Sequence, residues 1–379
     1  MFMRIAVAGA GPGGLYSALL LRRALPDADV TVFEQGPADQ TYGWGVVFSG
    51  RALDFLETRT AELYTDLLRE LERWEELHIV HAGTSIAIDG STFSAIARLT
   101  LLQTLQRHAR EAGVTLKYSQ PVESLDNLAG FDLVIVANGI NSTHRTELAT
   151  QLSPMRQQCT NRYAWYGTSQ LFPALSLIFV TNKDGAFVAH TYRYSPSMST
   201  FIVECDAATF ARAGLEDMSA QACLRYCEEI FADALGGHSL RSNNSHWLRF
   251  PIISCERWVH NNVVFIGDAC RSVHFSIGSG TRSALEDAMA LADAVAQAPD
   301  DVRAALTAYE NSRRQSAGRI DQLARQSLEW YEDFANKMHL KPAALAMDYM
   351  QRGNELDLAR LALKAPRFMA AYAAEQAAS

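Results

Sequence analysis

The sequence predicts an α/β protein in which a Rossmann-like dinucleotide-binding domain is split by an inserted antiparallel β-sheet lobe and followed by C-terminal helices. Three observations carry this. The apolar run Ile5-Ala6-Val7-Ala8 leads directly into Gly9-x-Gly11-x-x-Gly14 and then into a helical pattern. Between Arg162 and Cys205 the texture changes to short β-branched and aromatic runs separated by turn residues. At Val263-Val264-Phe265-Ile266 the buried-strand texture returns, followed by Gly267-Asp268 and a long helical stretch.

Taken in order, residues 4–8 read as a buried parallel strand. A helical stretch over residues 15–25 ends at Pro26-Asp27, and residues 30–33 form a second strand, completing a βαβ unit of about thirty residues. Residues 51–78 are expected to be helical, since Leu53, Leu56, Leu63, Leu67 and Leu71 keep one apolar face against Glu and Arg on the other. Residues 99–112 read as a further helix. Residues 115–118 and 132–137 read as strands, the second stopping at Asn138-Gly139. In the middle region, residues 164–167, 176–180 and 199–203 read as antiparallel strands, with turns at Asn182-Lys183-Asp184-Gly185 and Ser195-Pro196-Ser197. From Thr281 onward the chain is helical, with a break near residues 339–342. The expected organisation is a dinucleotide-binding domain over 1–160 and 256–330, a β-rich substrate domain over 161–255, and C-terminal helices over 331–379.

Length and composition bound the function. A chain of 379 residues suits two fused lobes better than one simple core. Hydrophobic residues at 48% and charged residues at 20% are ordinary for a globular protein. The net charge of −8 disfavours a nucleic-acid partner, because neutralising phosphates needs a basic surface. No apolar stretch reaches the roughly eighteen residues of a membrane-spanning helix, and no signal-peptide pattern precedes the first strand. The six cysteines, at 159, 205, 223, 227, 255 and 270, form no C-x-x-C pair; Cys223 and Cys227 sit four apart in a helical pattern and read as core packing. A reduced, cytoplasmic protein is expected. The ten histidines lack ligand spacing, so no metal site is expected.

Three places carry chemistry. In the first, Gly9 permits a tight turn, Gly11 lets the backbone approach a pyrophosphate, and Gly14 lets helix and strand pack closely. Glu34, at the end of the second strand, is placed to accept bonds from both ribose hydroxyls of an adenosine and to repel a 2′-phosphate. In the second, Asp268 follows a strand and suits the ribityl hydroxyls of a flavin. The turn Gly278-Ser279-Gly280-Thr281 opens a helix whose N–H groups favour the negative charge of a reduced flavin. The third is the polar loop Asn138-Gly139-Ile140-Asn141-Ser142-Thr143-His144-Arg145, at the C-terminal edge of a sheet, where ligands bind in α/β folds.

These segments, in this order, resemble the single-component FAD-dependent aromatic hydroxylases, the p-hydroxybenzoate hydroxylase-like flavoprotein monooxygenases, over roughly residues 4–330. The strings Gly43–Ser49, Arg249-Phe250-Pro251, Cys255–His260 and His274–Thr281 resemble the salicylyl-CoA 5-hydroxylases. Trp165–Phe172 and Met198–Cys205 are similar to protodeoxyviolaceinate monooxygenases of violacein synthesis as well. The resemblance implies an FAD-binding domain of the glutathione reductase type and a non-covalent FAD. NAD(P)H would visit as a transient reductant without its own domain, and O2 would add at flavin C4a before one oxygen passes to an electron-rich ring. By the same resemblance Gly9, Gly11, Pro12, Gly13, Gly14, Glu34, Gln35, Trp44, Gly45, Val46, Arg98, Asn138, Gly139, Gly267, Asp268, Gly278, Ser279, Gly280 and Thr281 surround the cofactor.

The chain departs from the family at Asn138, where Asp is usual, at Arg271 and Phe275, where His and Pro are usual, and at Arg282, where Asn is usual. His274 and Phe275 are the candidate catalytic residues, and His274 could orient or deprotonate a phenol. Trp165, Tyr166, His190 and Tyr192 are the candidate substrate contacts, between the β lobe and the flavin. The expected partners are O2 and an aromatic small molecule, free or linked to CoA or a carrier, with an indole-derived intermediate as the alternative. A flavin-dependent dehydrogenase or halogenase, or a flavin-free binding protein on a related fold, are the competing classes. The chain carries no W-x-W-x-I-P halogenase segment. A monomer or a homodimer would both fit.

Overall fold

The computed structural model describes residues 2–353 and 357–378. It begins as the sequence predicts. β1 (Arg4–Ala8), α1 (Pro12–Ala24) and β2 (Asp29–Phe33) form the βαβ unit. β3 (Gly45–Ser49), α2 (Phe55–Arg59) and α3 (Ala61–Glu70) follow, then β4 (Glu72–His81), β5 (Thr84–Ala97), α4 (Arg98–Glu111), β6 (Thr115–Lys117) and β7 (Leu133–Val136). Short helices α5 (Thr143–Glu147) and α6 (Ala149–Leu152) lead to β8 (Pro154–Gln158), β9 (Arg162–Thr168), β10 (Leu175–Asn182), β11 (Gly185–Ser195) and β12 (Met198–Cys205). Next come α7 (Ala207–Arg212), α8 (Ala220–Ile230), α9 (Ala232–Leu235), β13 (Leu240–Ser242), β14 (Pro251–Cys255), β15 (Val259–His260) and β16 (Val263–Phe265). The chain closes with α10 (Gly280–Gln297), α11 (Val302–Glu332), α12 (Pro342–Gln351), α13 (Leu358–Lys364) and α14 (Pro366–Ala377). No helix among the described residues is long and apolar enough to cross a membrane.

The first sheet has the order β15-β16-β7-β1-β2-β6 and is parallel except for β15. Its central strands are covered on both faces, so β1 and β7 carry unbroken apolar runs rather than an alternating pattern. The second sheet has eight strands in the order β13-β9-β12-β11-β10-β4-β5-β3. All its neighbours are antiparallel except β10 and β4, which run parallel with Leu175 opposite Leu77.

Two expectations are corrected here. Residues 51–78 are helical only to Glu70; from Glu72 the chain is a strand. The Glu- and Leu-rich composition favours a helix, but Leu77, Ile79 and His81 are buried in strict alternation; all three pair with β5, and Leu77 and Ile79 pair with β10 on the other side. Tertiary pairing overrides local propensity. The β lobe also reaches outside residues 161–255, because β3, β4 and β5 supply three of its eight strands.

The two faces of this sheet are covered differently. Tyr166, Phe187, Phe201 and Val203 pack under α7–α9, where Cys223 and Cys227 lie buried as core residues. The opposite face carries Leu77, Ile79, Leu177, Phe179 and Val188. It is covered by Trp330 and Tyr331 of α11, Phe334, and the apolar sides of α12–α14. The C-terminal helices are therefore part of the core of the β lobe. All six cysteines are buried thiols.

Candidate active site

The cradle at the start of α1 is built by backbone contact. Gly9 adopts a left-handed φ of +112°, and its N–H donates to the Phe33 carbonyl at 2.8 Å. A Cβ at Gly14 would lie 2.1 Å from the Gly9 carbonyl oxygen, and one at Gly13 3.1 Å from the Ala284 carbonyl of α10. At Gly11 the nearest atom to an added Cβ is 3.9 Å away, so this glycine is left open while its neighbours are closed. Gly11 is the N-cap of α1 with no side-chain cap bond, and Pro12 follows at the first helical position. The first turn therefore keeps free N–H groups at its positive end. Glu34 frames this turn: Oε2 accepts from Ala10 N–H at 2.8 Å and Oε1 from Gly36 N–H at 2.9 Å. Each oxygen keeps a lone pair that a ribose hydroxyl could use. Gln35 is exposed at the rim.

At the other end, Gly267–Ala269 makes a single 3-10 turn after β16. Gly267 N–H donates to Asp287 Oδ2 at 2.9 Å, and Arg313 Nε donates to Asp287 Oδ1 at 2.7 Å. Arg145 donates to the Ala269 carbonyl at 2.9 Å and to the Ile140 carbonyl at 2.7 Å, tying the Asn138-Gly139 loop to the same turn. Burial pushes the Asp268 carboxyl up, opposed first by Arg98 and then by Arg271. Burial likewise pulls the Arg98 guanidinium down, opposed by Asp268. Arg98 is fixed by its N–H to the Trp44 carbonyl at 2.9 Å and by Nε to Thr41 Oγ1 at 3.0 Å. The Asp268 side chain takes no hydrogen bond from the described residues.

Gly278 turns with φ +62°, and an added Cβ there would meet the Val47 carbonyl at 3.2 Å, so the α10 turn lies against β3. Ser279 Oγ, Asn138 Oδ1 and Trp44 Nε1 are buried without a protein partner. Buried polar groups are normally satisfied. A flavin and its ribityl chain bring the donors and acceptors these atoms lack, so the residues present fit FAD.

Between this turn and the β lobe lies a packed aromatic cluster. Phe275 is 4.2 Å from His274, 5.0 Å from Tyr163, 5.5 Å from His190 and 5.7 Å from Phe250, centroid to centroid. Tyr331 of α11 stands 4.9 Å from His190 and closes the far side. Burial pushes the His274 imidazole down to about 4, and its Nδ1 is buried without a partner.

The predicted substrate residues are not all brought together. His190 joins the aromatic cluster, its ring edge-on to Phe275. Tyr192 donates to the Gly45 carbonyl at 2.9 Å while Gly45 N–H donates to Thr200 Oγ1 at 3.0 Å, so Tyr192 fastens β3 to the sheet. Trp165 packs on Gly43, and Trp44 packs on Gly167, where a Cβ would meet the rings at 2.7 and 2.6 Å. Tyr166 points the other way, into the cluster under α7–α9. Successive strand residues face opposite sides, so Trp165 and Tyr166 cannot share one pocket. Sequence reasoning passed over Glu204, Asn161, Tyr331 and Asp287. A lone carboxylate inside the apolar run of β12 was the available signal for Glu204.

A cradle left open at Gly11, the opposite charges of Asp268 and Arg98 near the Gly267 turn, and an aromatic cluster beside the Gly278 turn fit an FAD-dependent aromatic hydroxylase. The chain belongs to the FAD binding domain family, whose model matches residues 3–324. It is similar to salicyloyl-CoA 5-hydroxylase from Streptomyces sp, 38% identical over 360 residues that cover 92% of this chain and 70% of that one. It is also similar to protodeoxyviolaceinate monooxygenase from Chromobacterium violaceum, 35% identical over 359 residues, 93% of this chain and 95% of that one. Among solved structures, 2-methyl-3-hydroxypyridine-5-carboxylic acid oxygenase shares the fold with a TM-score of 0.70 at 17% identity, over 93% of this chain and 96% of that one.

Proposed function

We propose that this enzyme uses NAD(P)H and O2 to hydroxylate an electron-rich aromatic ring, and that its substrate is an aromatic acyl thioester of the salicyloyl-CoA kind. The observation that carries this is the cluster of aromatic and imidazole rings formed by Tyr163, Phe250, His190, His274 and Phe275 next to the Gly278 turn. Such rings suit contact with a flat aromatic substrate, and the two imidazoles are the polar groups that could orient a ring hydroxyl. When bound, FAD supplies the activation of O2 and the transfer of one oxygen atom.

The chain's own residues hold and orient. The open Gly11 turn and Glu34 suit the pyrophosphate and ribose. Asp268 and Arg98 suit the ribityl region, and the Gly278–Thr281 turn presents helix N–H groups to the flavin edge. The thioester is supported by the Streptomyces relative, which acts on salicyloyl-CoA. An indole-derived substrate is the second reading, supported by the match over 95% of the Chromobacterium enzyme.

The test is a panel of free aromatic acids, their CoA thioesters and indoles, scored by stimulated NAD(P)H oxidation and by incorporation of labelled oxygen from O2. A yellow protein releasing FAD on heating and a thioester product heavier by one oxygen are expected. Absence of stimulation by every thioester sinks the substrate assignment.

A further inference from the structure

Behind the aromatic cluster lies a buried carboxylate that neither the cofactor cradle nor the apolar core requires. Glu204, in the middle of β12, is 1% exposed. His190 Nε2 lies 3.0 Å from its Oε2, and Asn161 Nδ2 donates to its Oε1 at 2.8 Å. Asn161 also donates to the Tyr331 carbonyl at 2.8 Å, and its own N–H donates to Glu332 Oε1 at 3.1 Å, so α11 locks it in place. Burial pushes the Glu204 carboxyl up. The His190 bond, the field of His274 and the Asn161 bond outweigh that and hold it below its ordinary value. An ionised carboxylate in such a place is costly unless it is paired.

The pairing fixes what His190 can do. With Nε2 committed to a carboxylate, the neutral ring carries its proton there and keeps the Nδ1 lone pair free. Nδ1 has no protein partner, yet it is not among the fully enclosed unpaired atoms, whereas Nδ1 of His274 is. The ring lies 5.5 Å from Phe275, which borders the Gly278 turn.

We propose that His190 is the proton acceptor for the ring hydroxyl of the substrate, with Glu204 and Asn161 as its positioning residues. This rests on the hydroxylase reading above and narrows its substrate class to rings bearing a free ionisable hydroxyl. In the step, the substrate O–H bond breaks and an N–H bond forms at His190 Nδ1. The bonding pair stays on the ring oxygen and enriches the carbon that accepts the new oxygen. The resulting imidazolium is balanced by Glu204, and the proton returns when the hydroxyl reforms in the product. No electron is exchanged with the protein. The other ionisable groups facing the pair are His274 before α10, Tyr163 and Cys159 at the β9 end, and Tyr331 on α11. Burial pushes Tyr163 and Cys159 up to about 12, raises Tyr331 well above its ordinary value, and pushes His274 down to about 4.

The test compares wild type, Glu204→Gln and His190→Gln as FAD-loaded protein, with salicyloyl-CoA and its O-methyl ether as probes. Nitrogen NMR of labelled histidine should find His190 as the Nε2–H tautomer in wild type and a mixture of tautomers in Glu204→Gln. Removing the negative partner makes the imidazolium less favourable, so the acid limb of the kcat profile moves to lower pH. At neutral pH kcat should fall about tenfold in Glu204→Gln and about a hundredfold in His190→Gln, with KM within about twofold and FAD content unchanged. The methyl ether should bind without being hydroxylated. Wild-type kcat and pH profile in Glu204→Gln overturn the proposal, as does hydroxylation of the ether at the parent's rate. Should Glu204→Gln fail to retain FAD, a His190→Gln enzyme with wild-type kcat overturns it equally. A wild-type enzyme inactive on every hydroxyaromatic, yet showing the NMR signature, places the failure in the hydroxylase reading and not in the pair.

Discussion

Replacing Gly11 by alanine adds one methyl group at a point where the protein leaves room for it. The backbone there has φ −70° and ψ 174°, which alanine adopts without strain, and the nearest atom to the new Cβ is 3.9 Å away. Folding of the apoprotein should therefore be untouched, or gain about 0.5 kcal/mol from the less flexible unfolded chain. The cofactor has no such room. A pyrophosphate seated on the α1 N–H groups approaches to about 2.9 Å, and a methyl group at Gly11 would push it off at least one of those bonds. A hydrogen bond to a charged group is worth about 1.5–3 kcal/mol, which converts to roughly a ten- to hundredfold loss of FAD affinity. Thermal unfolding of the apoprotein and titration with FAD followed by flavin fluorescence separate the two effects. Gly14→Ala is the contrasting control, since its Cβ would sit 2.1 Å from the Gly9 carbonyl oxygen and must disturb the fold itself. FAD affinity within about twofold of wild type in Gly11→Ala would refute the placement of the pyrophosphate. An apoprotein as destabilised as Gly14→Ala would refute the steric argument.

Three further outcomes are expected. Asp287→Ala strips the Gly267 N–H of its acceptor and leaves Arg313 facing no carboxylate at that position. A loss of about 3–5 kcal/mol in denaturant unfolding is expected, with FAD release at lower denaturant than in wild type. His274 has a folded pKa of about 4 against an unfolded value of 6.5, so the unfolded chain binds the extra proton between them. Its contribution is present above pH 6.5 and is lost as the pH falls towards 4. Urea midpoints should register about 2 kcal/mol of this loss by about pH 5, and His274→Asn should flatten the slope. Glu34→Ala frees the Ala10 and Gly36 N–H groups and removes the ribose acceptor. Isothermal titration should find FAD affinity reduced about tenfold or more, and an unchanged value would remove Glu34 from the site.

What the sequence revealed were groups whose role is set within a few residues of a strand end. Gly9–Gly14, Glu34 and Asp268 each follow an apolar strand, and the chemistry of a helix start or a turn dictates their type. β4 and β5 could not be read in the same way. Their burial pattern exists only because Leu77 faces Leu175 across the sheet, and glutamates at 72, 75 and 76 mimic an exposed helix face. Tyr166 was a lapse of a different kind, since alternation along a strand already separates it from Trp165. Glu204 and Asn161 meet 43 residues apart in sequence, and only the folded sheet with α11 laid over it joins them to His190.

The parallel junction between β4 and β10 carries a consequence for synthesis. Leu77 and Leu175 are 98 positions apart (175 − 77), and Asp89 takes its bond from Phe368 N–H only at the far end of the chain. At roughly 5–20 residues per second on the ribosome, the open edge of β4 waits on the order of ten seconds for its neighbour, and the apolar face of Leu77 and Ile79 waits longer for α12–α14. The β4–β5 hairpin of the nascent chain thus carries an open edge and an uncovered apolar face until its neighbours arrive. Chaperone supply and growth temperature should set the yield of this enzyme more strongly than the stability of its finished fold.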